Sequence, residues 1–514
     1  MKNILKTGWV IMVLGTVVSC TDLEETVYDQ LTTDNFFKTQ EDVVAAFAPA
    51  YSGYRSLVSN HQGSWYWLAL NTVDETVTPV RGSAWFDGGI HTRLYLHDWT
   101  NDENTIRQTW RQMYNGVNTC NRLIYQFENA EFEVPDLDAV IAELKVARAF
   151  WYYLLIDYFG NVPIVTEFDL PEGFLPETSS RAEVFDFIVT ELRENMDLLS
   201  NEVNADTYGR WNRWNARHLL ARMYLNAEVW SGEPMWEECK TLCEEIMGAD
   251  KYHLEANYKA PFMADNENSG EITFAIPFDE VYTAGNNRFH VHMWTLHGLS
   301  RETFNAQTGF WGGISATPSF ISSYDPDDLR IADSWLSGPQ YASDGTPLYC
   351  AGWRSEDAGK PLDYTREIDD LTDAGEHQGY RLFKYEIEDG VMAAMNNDFV
   401  FFRYADIYFM LAECLYRQGD AESATVLINE VRSRAFETPE PLTAGMLDDD
   451  RFLDEYAWEF CQEGHRRQQL IRFGQFTTKA WSFHSPSESF RTLFPIPREE
   501  MLANPNLKPN PGYN

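Results

Sequence analysis

A chain of 514 residues that is 44 % hydrophobic and 15 % aromatic is long enough to bury a large core, which excludes an intrinsically disordered protein. Its net charge of −39, from Asp+Glu 79 against Lys+Arg 40, excludes a nucleic-acid binder, because neutralising phosphates needs a basic face. The aromatics stand out: Trp 17, Tyr 26 and Phe 32 exceed what such a core requires, and flat rings suit the apolar faces of sugars.

At the N-terminus, Lys2 and Lys6 precede a short apolar run, Trp9 to Val18. That run is too short for an ordinary transmembrane helix and reads as the core of a signal peptide. It ends in Val17-Val18-Ser19-Cys20, which looks like a permissive bacterial lipobox. Residues 1–19 therefore read as a lipoprotein signal peptide, with Cys20 as the lipidated first residue of the mature chain. No other stretch is apolar enough to span a bilayer, so the expected anchor is lipid alone. The acidic run after Cys20 reads as an extended tether.

Residues 44–54 form a first amphipathic helix, striped by Val44, Phe47, Ala48, Tyr51 and Tyr54. From 60 to 103 the periodicity breaks, and Trp65, Trp67, Trp85, Phe86 and Trp99 lie among Gly, Asp and Asn. A loop of that length with so many rings is expected to be functional rather than disordered. Helical stripes return at Ile106–Cys120 and Val140–Leu155, the second stopped by Gly160 and Pro163. Further helices are expected over Arg181–Leu199, Trp214–Trp230 and Trp236–Met247. Between about 250 and 400, short strand-like runs such as Glu271–Pro277 alternate with Gly, Asn, Asp and Pro. This region reads as a large irregular excursion packed on the helices.

The run from Phe401 to Gly474 reads as three consecutive helices, the first two joined by Gly419-Asp420. Its sequence AECLYRQGDAESATVLINEVRSRA resembles a tetratricopeptide unit, which must stack on neighbours to bury its face. Residues 493–514 are proline-rich and extended. The predicted fold is mainly α: a tetratricopeptide-like scaffold of four helix-turn-helix units, over 41–250 and 400–475, carrying the strand-containing excursion. Cys120, Cys239, Cys243, Cys350, Cys414 and Cys461 are scattered through apolar stripes and read as buried free thiols. Cys239 and Cys243 lack further ligand spacing, so no metal or cofactor is expected.

Several segments together resemble the SusD/RagB surface lipoproteins. They are the lipobox at Cys20, ARAFWYYLLIDYFGNVPIV from Ala147, GRWNRWNARHLLARMYLNAEVWSG from Gly209, FRYADIYFMLAECLYRQGD from Phe402, EFCQEGHRRQQLIRFG from Glu459, and FPIPREEMLANPNLKPNPGY near the C-terminus. The resemblance implies one SusD-like domain over 20–514, lipid-anchored at the outer membrane and exposed at the cell surface. It implies a non-enzymatic protein that binds oligo- or polysaccharide and hands it to a SusC-like TonB-dependent transporter. By position, Trp85 or Phe86 from the early loop and Trp294 and Trp311 from the excursion would form the glycan platform. Asn71, Arg81 and Asn286 would be their polar partners.

Two other functions are open to the sequence. A peptide-binding member of the same family shares the fold, which does not fix the ligand. A glycoside hydrolase needs two carboxylates across a cleft, and 79 acidic residues make chance pairs common. The chain has no G-x-S-x-G elbow, H-E-x-x-H or nucleotide-binding glycine loop. Glu459, Glu463, Arg466 and Arg467 are expected to form ion pairs between helices, not a catalytic site.

Overall fold

The computed structural model describes residues 40–513 apart from 131–133, 286 and 439. The leader, Cys20 and Asn286 lie outside the described residues. The scaffold opens with α1 (Gln40–Ser52), α2 (Trp65–Asn71), α3 (Asn104–Glu128) and α4 (Leu137–Tyr158). It continues with α5 (Arg181–Asn195), α6 (Arg213–Leu225) and α7 (Trp236–Gly248). Helices α3, α4 and α5 pack in succession, as do α6 and α7. Each buries a stripe, but α4 is buried on every side from Val146 to Tyr158 and forms the centre of the core. Gly116 on α3 permits the close approach: a Cβ there would lie 2.0 Å from Cε2 of Trp151. Ser180 and Asn212 start α5 and α6 with reciprocal capping boxes. The six described cysteines are buried and free.

The excursion leaves the scaffold after α7 and returns through a strand pair. Strand β1 (Ile272–Ile276) runs antiparallel to β2 (Phe399–Arg403), and both are wholly buried. This corrects the expected helix start at Phe401. Phe399-Val400-Phe401-Phe402 is a run of strand-favouring residues whose backbone pairs with β1, so helix begins only at α8 (Tyr404–Arg417). Helix α9 (Ala421–Arg432) packs on α8, and α8 packs on α7, which continues the stack. Next comes α10 (Asp449–Phe460), which stops before Glu463. Gln462 (φ 65°) and Gly464 (φ 83°) turn the chain into a separate α11 (Arg466–Arg472). The expected three helices are therefore a strand and four helices.

Excursion and scaffold are joined by buried charge. Arg403 on β2 bonds Glu271 and Glu459 at 2.8 Å and Glu463 at 2.9 Å. Arg330 and Lys384 from the excursion reach Glu459 at 3.1 Å and Glu463 at 2.7 Å. Arg466 pairs instead with Asp74 at 2.7 Å, and Arg467 with Asp157 at 3.1 Å. Each of the four expected residues is ion-paired, but the helix-to-helix expectation holds for Arg467 with Asp157 and Glu459 with Arg330, while Arg403, Lys384 and Asp74 lie on a strand or in loops. Pairing on this scale is what lets so many charges be buried.

Beside this network, Glu75 is buried and, among the described residues, accepts only the Gln462 backbone amide, at 3.3 Å. Burial pushes its pKa up to about 8, against the opposing pull of Arg466. A raised folded-state pKa gives stability that is complete below the unfolded value and lost as pH rises through the folded one. Glu75→Gln should therefore raise the melting temperature by a few degrees at pH about 8, with the gain closing toward pH about 4. Thermal unfolding of the two proteins across that range tests it.

Candidate functional site

The early loop is anchored from below. Arg81 is fully buried, and its guanidinium donates to the carbonyls of Gly313 (3.3 Å) and Gly375 (2.5 Å) and to Oγ of Ser315 (3.0 Å). Above it the chain turns tightly. Trp85 (φ 65°) and Asp87 (φ 39°) adopt left-handed backbone beside Gly82, Gly88 and Gly89. Such a conformation costs a non-glycine residue of order 1 kcal/mol and persists only where packing enforces it. Here the Trp85 indole donates to the Trp311 carbonyl at 2.7 Å. Its ring lies over Gly313, where a Cβ would come within 2.3 Å.

Trp311 is placed by the excursion. Its amide donates to the Met293 carbonyl at 2.7 Å, and Gly313 donates to that of Trp294 at 2.8 Å. Trp294 stands edge-on to Trp67 at 5.3 Å, and Trp67 stacks under Trp85 at 6.1 Å. Two loops far apart in sequence thus share one aromatic block. Beside it opens a cleft of about 430 Å³, lined by Asn60, His61, Gln112, Arg288, His290 and Trp311 among others. His61 and His290 face Trp311 with ring centroids at 4.9 and 5.7 Å. Burial pushes both imidazoles down to about 4, so they are neutral at neutral pH. Neutral imidazoles both donate and accept, as hydroxyl-rich ligands require.

The predicted residues divide into two layers. Phe86 is 63 % exposed, Trp311 is half-buried in the cleft lining, and Trp85 is half-buried behind it with its ring 6.1 Å from that of His61. Trp294, Asn71 and Arg81 are fully buried, which corrects their expected role as direct contacts. Asn71 accepts from the Thr78 hydroxyl at 2.6 Å and donates to the Trp67 carbonyl at 3.0 Å, so its amide is used internally. Trp65, Trp67 and Trp99 of the early loop are core residues too. The first two lie on α2, where Ser64 caps a wholly buried turn that shows no helical stripe because every face is covered. His61, His290 and Arg288 carried no sequence signal, except that Arg288 neighbours the expected Asn286. A larger cleft of about 640 Å³ lies elsewhere, beside Phe47 and Tyr51. Of its charged groups, Arg210 and Glu143 are already paired at 2.7 Å.

The fold and site define a helical-repeat protein whose inserted loops present an aromatic-edged cleft. A family model described as SusD family matches residues 370–513, and one described as starch-binding associating with outer membrane matches residues 27–225. The chain belongs to the SusD/RagB family. The starch-binding protein SusD of Bacteroides thetaiotaomicron is 29 % identical over 417 residues, 72 % of each chain. A SusD-like protein of Formosa agariphila is 22 % identical over 99 % of both chains. Among solved structures, a SusD superfamily protein from Parabacteroides distasonis superposes with a TM-score of 0.74 at 19 % identity, covering 94 % of this chain and 100 % of that one. Surface glycan-binding protein A from Bacteroides thetaiotaomicron, in complex with laminarihexaose, gives 0.73 at 20 % identity, covering 92 % and 99 %.

Proposed function

We propose that this chain is a cell-surface lipoprotein that captures nutrient oligo- or polysaccharide and passes it, uncleaved, to a SusC-like TonB-dependent transporter. The observation that carries the reading is the Trp85–Trp311 edge with exposed Phe86, held rigid from beneath and flanked by neutral imidazoles. Exposed rings stack on sugar C–H faces, and a rigid surface loses little entropy on binding. The names of the starch-binding relative and the laminarihexaose complex support a saccharide over a peptide. Cys20 would carry the lipid at the outer membrane after removal of residues 1–19. Among the described residues no helix is long and apolar enough to cross a membrane.

Native gels containing plant, algal, fungal and host polysaccharides test the proposal. The protein lacking residues 1–19 should be retarded by one glycan class and release no reducing ends from it. Trp311→Ala should weaken binding by about 2 kcal/mol, roughly thirtyfold in Kd, as for a central anchor ring. Trp294→Ala should lower stability first. Cleavage of the retained glycan would reject a purely binding role.

A further inference from the structure

We infer that the glycan taken by this site is anionic, bearing a carboxylate or sulfate ester that pairs with the Arg288 guanidinium beside the Trp311 ring. The inference rests on the saccharide reading above and adds the charge of the ligand.

Acidic residues outnumber basic ones in this chain, 79 to 40. Arginines around the site find partners readily: Arg93 forks onto Glu103 at 2.6 and 2.9 Å, and Arg354 onto Asp357 at 2.9 and 3.1 Å. Arg288 does not. It lines the cleft with Trp311, His61 and His290, and among the described residues it has no carboxylate within ion-pair distance and its side chain donates no hydrogen bond. Its Nε is buried without a partner, and its charge acts on both imidazoles, lowering their pKa values.

Among the described residues no Asp or Glu lines this cleft. Asp87, the carboxylate that acts on His61, is held by His91 Nε2 at 3.1 Å. A half-buried guanidinium with no protein partner among the described residues is available to an anionic ligand. The planar fork matches both carboxylate and sulfate, and Arg288 lines the same cleft as Trp311. A neutral sugar would use only the N–H donors of this group, whereas an anionic substituent would use its charge as well.

The test runs the protein and its Arg288→Gln and Trp311→Ala variants through gels containing a polyuronate, a sulfated galactan and a neutral β-glucan. The carboxyl-reduced and desulfated forms of the first two run beside them. Titration calorimetry then uses oligosaccharides of the retained glycan. One charged glycan should be retained, its neutralised form should bind at least about tenfold more weakly, and Arg288→Gln should erase that difference. Binding should also weaken as salt is raised to about 0.5 M. Which charged glycan is retained separates carboxylate from sulfate. Retention of the neutral glucan alone, or indifference of charged-glycan binding to Arg288→Gln, would overturn the inference. A loss in Trp311→Ala would then still support the platform. Failure to retain any glycan would overturn both.

Discussion

Arg403→Met should destabilise the protein by about 3–5 kcal/mol at neutral pH, because it strips the shared cation from buried carboxylates. Glu271, Glu459 and Glu463 all lie within 2.9 Å of its guanidinium, and all four side chains are buried. Burial alone would raise Glu459, but Arg434, Arg403 and Arg330 together hold it well below the usual carboxylate range. Glu271 is lowered in the same way, burial opposing and Arg434 and Arg403 prevailing. A depressed folded-state pKa gives stability that is present above the unfolded value and lost as pH falls through the folded one. Without Arg403 the carboxylates gain protons on folding, so the variant's deficit should narrow as pH falls toward about 4. Arg403→Lys keeps the charge but not the fork and should fall between the two. Urea unfolding at both pH values measures all three proteins, and a constant deficit would mean that lost packing, not charge, sets the cost.

Gly313→Ala should abolish glycan retention while leaving the scaffold folded. The added Cβ would sit 2.3 Å from Cε2 and 2.5 Å from Cζ2 of Trp85, so the ring must leave its seat. The indole bond to the Trp311 carbonyl goes with it, and with that bond the restraint on a left-handed tryptophan. Overpacking of this kind costs about 1–3 kcal/mol. The double variant Gly313→Ala/Trp85→Ala separates the causes, since removing the ring removes the clash. It should recover stability relative to Gly313→Ala yet remain unable to retain glycan. Recovery of both would show that Trp85 only shapes the cleft.

Much of the scaffold was legible because helices announce themselves locally. Stripes such as Ile106–Trp110–Met113–Val117 and stops such as Gly160 depend on neighbours within a few turns. The misplaced start at Phe401 arose because a buried strand and a buried helix both read as continuous apolar sequence. The partner that decides the matter, Ile272–Ile276, lies more than a hundred residues away. The same limit governed the site. The early loop and the excursion were recognisable as aromatic-rich, and of the named aromatics Trp311 lines the cleft, Trp85 packs behind it through its indole bond, and Phe86 is exposed.

What the sequence by itself determined is the helical repeats, the acidic balance and two aromatic-rich loops, which reside in spacing and composition, and the family, which resides in the resemblance of its segments. Only the tertiary structure decided which ring faces outward. Trp294 and Trp311 are the same residue type in the same excursion, yet the edge-on contact with Trp67 buries one, while the backbone bond to Met293 holds the other at the cleft. It also decided that Arg288, unremarkable in sequence, stands without an ion-pair partner among the described residues of a protein crowded with acids. Exposure and pairing belong to three-dimensional neighbours, and no local pattern records them.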